Sequence, residues 1–203
     1  MSIPQEKERI EAIFKALGEQ LKELNVSPVE LVVCGGTALN ILGLVTRTTR
    51  DVDIVAFVER SKTGEPVLKR ESPLLDSLIE AARKVQKDFN LPEDWLNDKT
   101  ISVLTFGWPK GLMERAATHR YQDNLTVHFL GRYDQIHFKL FAAFDSEGRR
   151  AVHLADLLAL NPTKDEIDEA ARWVMTRPEA EPYRHSFKEL LSQIGFTDAA
   201  EKI

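Results

Sequence analysis

Among its 203 residues the chain has one cysteine, Cys34. A single thiol excludes an intramolecular disulfide framework and any metal site built from several cysteines, and it suits a reducing compartment. No apolar run approaches the roughly 18 residues that a membrane helix needs. The opening residues, Met-Ser-Ile-Pro-Gln-Glu-Lys-Glu-Arg, lack the apolar stretch of a signal peptide. A cytoplasmic protein with no membrane partner is therefore expected. A basic excess is missing too: the formal net charge is −5, so any contact with nucleic acid has to be local. Internal repeats and low-complexity tracts are absent as well, which excludes solenoid and fibrous architectures.

What remains is an ordinary globular composition, 43% hydrophobic and 29% charged, sufficient for one core with or without a helical appendage. Ile10, Ile13, Phe14, Leu17, Leu21 and Leu24 recur at three- and four-residue steps, predicting an amphipathic helix from Pro4 to Leu24. Glu30 to Cys34 is a short β-prone run that stops at Gly35-Gly36. Thr37 to Leu44 has good helix formers and few polar residues, which predicts a short buried helix. Asp51 to Val58 alternates at its start and is rich in β-branched residues, which predicts a second strand, with a loop marked by Gly64 and Pro66 after it.

Ser72-Pro73 has the form of a helix start, a capping residue and then proline at the first helical position, for a helix running to Phe89. Strands are expected at Ile101 to Phe106 and Leu125 to Leu130, separated by an irregular segment containing Gly107, Pro109 and Gly111. The last third predicts helices over 134–144, 151–160, 164–175 and about 182–194, with Thr163-Lys-Asp-Glu166 as a capping box. The expected fold class is α/β of the α+β kind: a small mixed sheet flanked by helices, with a helical C-terminal part.

One constellation carries chemistry. Side chains alternate along a strand, so Asp51 and Asp53 share a side while Val52 and Ile54 take the other. Paired carboxylates repel one another unless a cation neutralises them, and hard oxygen ligands of this kind suit Mg²⁺ bound together with substrate phosphates. Gly35, Gly36 and Thr37 lie at a strand-to-helix junction, where small residues let backbone N–H groups approach a phosphate. Arg47 and Arg50 adjoin the acids. They either bind phosphate or an acceptor RNA, or simply balance Asp51.

The run Val33-Cys-Gly-Gly-Thr-Ala-Leu-Asn-Ile-Leu-Gly-Leu-Val-Thr-Arg-Thr-Thr-Arg-Asp-Val-Asp-Ile54 resembles the signature of the DNA-polymerase-β-like nucleotidyltransferase superfamily. Its wording is most similar to that of the minimal bacterial nucleotidyltransferases related to abortive-infection and type IV-like toxins. The resemblance implies a nucleotidyltransferase-like core over 1–130, with a helical subdomain over 131–203 packed on it. It further implies Mg²⁺ or Mn²⁺ on Asp51 and Asp53, and a nucleoside triphosphate held by Gly35, Gly36, Thr37 and Arg50. The acceptor would be RNA, protein or a small molecule, and a toxin or phage-defence role with an antitoxin partner would follow.

The resemblance extends faintly to Leu91-Pro-Glu-Asp-Trp-Leu-Asn97 and to the segments Ile136 to Phe144 and Val152 to Leu158, and by position it maps a site lysine and aspartate onto Lys139 and Asp156. Their surroundings give the two residues independent interest. Lys139 borders an apolar stripe of Ile136, Leu140 and Phe144, and Asp156 sits among leucines, where a charge needs a partner or a metal. The alternative is a structural ion pair between the two. Relatives usually carry a third carboxylate on a later strand, where Leu125 to Leu130 offers His128 instead. Either Asp156 supplies that acid or the fold binds nucleotide with impaired transfer. Cys34 is expected to be a core residue, the histidines to bind no metal, and Trp95, Trp108 and Trp173 to serve packing.

Overall fold

The computed structural model describes residues 4–70, 72–100, 107–146 and 148–203. The strand expected at Ile101 to Phe106 lies outside the described residues. By internal contacts the chain forms two compact units, one from the described residues within 1–105 and 111–131, the other from those within 106–110 and 132–203.

In the first unit α1 (Pro4–Glu23) is the expected amphipathic helix, with Ile10, Ile13, Phe14, Leu17 and Leu21 all buried. β1 (Val29–Cys34) runs directly into α2 (Gly35–Ile41), every residue of which is buried. That helix starts two residues earlier than its composition suggests, so both glycines lie in its first turn. β2 (Val52–Arg60) and the edge strand β3 (Pro66–Lys69) follow, then α3 (Asp76–Phe89), the two-residue β4 (Leu96–Asn97), the short α4 (Leu112–Arg115), β5 (Ala117–Tyr121) and β6 (Leu125–Phe129).

The helix predicted from Pro73 begins at Asp76 instead. The Ser72–Pro73 peptide bond is cis, and the Ser72 hydroxyl donates to Asp98 Oδ2 at 2.6 Å, so it is engaged away from any helix terminus.

The strands form one mixed sheet in the order β3-β2-β1-β6-β5, and β4 pairs the first residues of β2 on the side away from β1. β1 is antiparallel to β2 and parallel to β6. Pairing between β1 and β2 slips once: Val32 faces Ala56 while Val33 faces Ile54, which leaves Val55 as an extra residue, a β-bulge. One face of the sheet, with Leu31, Val33, Ile54, Phe57, Val127 and Phe129, joins the apolar sides of α1 and α3 in a single core. Burying such side chains stabilises by about 1.5–3 kcal/mol each, and this core anchors both strands that carry the candidate site.

The second unit is helical: α5 (Arg132–Asp145), α6 (Arg150–Ala159), α7 (Lys164–Val174), a 3₁₀ turn (Pro178–Tyr183), α8 (Arg184–Gln193) and α9 (Thr197–Lys202). α7 opens on the expected capping box, with Glu166 N–H donating to Thr163 Oγ1 at 3.2 Å and Thr163 N–H to Glu166 Oε2 at 2.8 Å. Glu166 also receives two hydrogen bonds from Arg132, whose guanidinium donates further to the carbonyls of Leu160 and Asn161. One cap thereby ties the start of α5 to the α6–α7 turn. Among the described residues no helix is long and apolar enough to cross a membrane.

Candidate functional site

The site in the first unit is built where β1 ends. Cys34, buried as expected, pairs with Asp53 across the β1–β2 ladder, and the chain turns at once into α2. Gly35 makes that turn with φ of +74°, in the left-handed region that side chains disfavour. A β-carbon added to Gly35 would stand 2.5 Å from Asp53 Oδ2, so the carboxylate lies directly over the glycine. At Gly36 an added β-carbon would meet Thr49 Oγ1 at 2.7 Å and Arg47 Nη2 at 3.1 Å. At both glycines a side chain would have to displace these neighbouring groups.

Side-chain hydrogen bonds fix the loop between α2 and β2. Thr37 Oγ1 donates to the Asp51 carbonyl at 2.7 Å, and Thr49 Oγ1 reaches the same carbonyl at 3.3 Å and Asp51 Oδ1 at 3.4 Å. Asn40 Nδ2 donates to the carbonyls of Gly36 and Arg47, both at 2.9 Å, and Thr49 N–H donates to Glu6 Oε1 at 3.2 Å. Asp51 and Asp53 are partly exposed while Val52 and Ile54 are buried, the alternation expected of a strand with its acids turned away from the core. Two positions along a strand span roughly 6.6 Å, which sets the two acids on neighbouring same-side positions.

On the far side of Asp53 lies β4, where Asn97 is the residue in register. Asn97 is buried, its Nδ2 donates to the Val52 carbonyl at 3.4 Å, and its Oδ1 accepts from Lys99 N–H at 3.1 Å. The Lys99 ammonium pairs with Asp94, whose hydrogen bond raises its pKa against the opposing effect of burial. The charges of Asp94, Asp51 and Asp53 add to the rise. His128, by contrast, is on β6, across β1 from the acids. It lies 2.8 Å from Thr118 Oγ1 through Nδ1 and 3.1 Å from Glu30 Oε2 through Nε2. Burial pushes the Glu30 carboxyl up, but the hydrogen bonds and charges of Arg60 and His128 outweigh it and hold it below the ordinary 4.5.

Arg50 lines a small pocket against α1, together with Arg9, Ile10, Thr49, Asp51 and Trp95. Lys139 and Asp156 belong to the second unit, where they meet each other: Lys139 Nζ stands 2.8 Å from Asp156 Oδ2, with only 6% and 2% of the side chains exposed. The structure thus gathers Gly35, Gly36, Thr37, Asp51 and Asp53 at one strand–helix junction, with Arg50 beside Asp51.

Among the described residues no group of three or more His, Cys, Asp or Glu side chains is arranged to hold a metal. Two carboxylates suffice for a Mg²⁺ that takes its remaining ligands from triphosphate and water. The sequence set Arg47 beside the acids without placing it on Gly36, and it gave no sign that Thr49 and Asn97 border the site. Arg47 and Thr49 stand within six residues of Asp53, but only tertiary folding sets them on Gly36, and a two-residue strand such as β4 leaves no periodic pattern to read.

Comparison with known proteins finds no matching family model, no matching curated protein and no matching solved structure.

Proposed function

We propose that the first unit is a metal-dependent nucleotidyl-transfer site that moves a nucleoside monophosphate from a nucleoside triphosphate to an acceptor hydroxyl. The observation that carries this reading is the Asp53 carboxylate lying on Gly35, which brings a candidate metal-binding acid of β2 against the strand–helix turn at Gly35-Gly36. In the reaction the acceptor oxygen attacks the α-phosphorus in line, the bond to the bridging oxygen breaks, and pyrophosphate leaves with that electron pair. Asp51 and Asp53 hold Mg²⁺ or Mn²⁺, while Thr37 and Thr49 fix Asp51 through its carbonyl and carboxylate. The ion, when bound, supplies positive charge to the phosphate oxygens and lowers the pKa of the acceptor hydroxyl. Lys139 and Asp156 enter only through the family resemblance, since their own geometry favours a mutual ion pair.

The experiment is transfer of label from α-³²P nucleoside triphosphates, with Mg²⁺ and a cell extract, by the wild-type chain and by Asp51→Ala and Asp53→Ala. Labelled acceptor is expected with the wild type and at least about a hundredfold less with either variant. Transfer that survives both substitutions would sink the mechanism. The acceptor is RNA, protein or a small molecule. A toxin or phage-defence role with an antitoxin partner predicts growth arrest on expression of the wild type but not of Asp53→Ala.

A second reading, nucleotide binding without transfer, is favoured by Asn97, an amide where the strand neighbouring Asp53 could have offered a third acid. Saturable Mg²⁺-dependent nucleotide binding with no labelled product would select it.

A further inference from the structure

The two glycines lie under opposite charges. Asp53 Oδ2 is the nearest atom to the missing β-carbon of Gly35, and Arg47 Nη2, with Thr49 Oγ1, covers that of Gly36. Adjacent α-carbons are about 3.8 Å apart, so a carboxylate and a guanidinium stand over neighbouring residues of one turn. Resting on the nucleotidyl-transfer reading of this site, we propose that Arg47 is the residue that grips the triphosphate chain, binding oxygens that the ion on Asp51 and Asp53 leaves unneutralised.

A metal–triphosphate complex needs anionic ligands for the ion and, beside them, a cation for the outer phosphate oxygens. A guanidinium suits the second task because its planar fork engages two oxygens at once. The absent side chain at Gly36 is what allows Arg47 to lie against the backbone there. Its own backbone is held in place, with the Arg47 carbonyl accepting from Asn40 Nδ2, which also donates to Gly36. Arg50, three residues on, is exposed and lines the pocket against α1 with Arg9, Ile10 and Trp95. The two arginines of the loop are divided between two places, and only Arg47 is against the glycines.

The test measures binding of inorganic tripolyphosphate with Mg²⁺ to the full chain by calorimetry, a probe independent of which base the site prefers. Wild type, Arg47→Ala, Arg47→Lys and Arg50→Ala are compared, each checked for a cooperative thermal transition. Arg47→Ala is expected to weaken binding on the order of tenfold to a hundredfold, with Arg47→Lys intermediate and Arg50→Ala losing clearly less than Arg47→Ala. Wild-type affinity in Arg47→Ala, or an equal loss in Arg50→Ala, would overturn the assignment and leave the nucleotidyl-transfer reading standing. If Arg47→Ala does not fold, Arg47→Lys decides: wild-type affinity there overturns the assignment, and a several-fold loss supports it. A wild-type chain that binds neither tripolyphosphate nor any of the four common nucleoside triphosphates with Mg²⁺ overturns both.

Discussion

The Asp53 carboxylate rests on the α-carbon of Gly35, leaving 2.5 Å where a β-carbon would need more than 3 Å. Gly35→Ala therefore meets two penalties, the clash with Oδ2 and a φ of +74° that alanine disfavours. A stability loss of about 1–3 kcal/mol is expected, together with loss of Mg²⁺-dependent nucleotide binding as Asp53 is displaced. Denaturant unfolding and titration of labelled nucleotide measure the two effects, and wild-type values in both would mean that the turn yields freely.

Asn97→Asp puts a third carboxylate in register with Asp53. It also removes the donor to the Val52 carbonyl. Without divalent ions the variant should melt several degrees lower, since losing a buried hydrogen bond costs about 1–3 kcal/mol. Adding Mg²⁺ should raise its melting temperature more than it raises that of the wild type. Equal shifts would deny that this position faces an ion site.

The Lys139–Asp156 pair is buried enough that removing one partner deprives the other of its close opposite charge. Lys139→Met or Asp156→Leu alone should cost about 3–5 kcal/mol, and the double variant should recover most of it. A double-mutant cycle by urea unfolding gives the coupling. Near-additive losses would show that the two charges depend on other groups.

Glu30 predicts an acid-limb effect of definite sign. Its pKa is lower in the folded chain than the ordinary 4.5, so the stabilisation it receives from Arg60 and His128 is complete above that value and is lost as pH falls through the folded pKa. Glu30→Gln should be less stable than wild type at pH 7, with the gap closing below about pH 4.5. A gap that persists unchanged at pH 3 would assign the loss to packing.

Much of the fold was legible because its signals are local. The α1 stripe, the β-prone run into two glycines and the Thr163–Glu166 box each lie within a few turns of chain, and each holds in the structure. β3 was illegible since its residues are almost all exposed and carry no alternation, and β5 owes its existence to pairing with β6. At the site, the glycines and acids could be read because residue type alone constrains their use. Choosing between Arg47 and Arg50 could not, as both are arginines on one loop and only the fold turns one toward Gly36. Ser72-Pro73 misled because a capping sequence says nothing of a competing acceptor, here Asp98.

The unpaired Val55 decides which way the acids look. Ile54 and Phe57 both reach the helices although an odd number of steps separates them, and only the inserted residue makes that compatible with strand geometry. A chain shortened by that one residue would face a choice between turning its carboxylates inward and expelling an aromatic ring into water. The greasy side of the sheet is accordingly the force that keeps Asp53 pointed at its glycine.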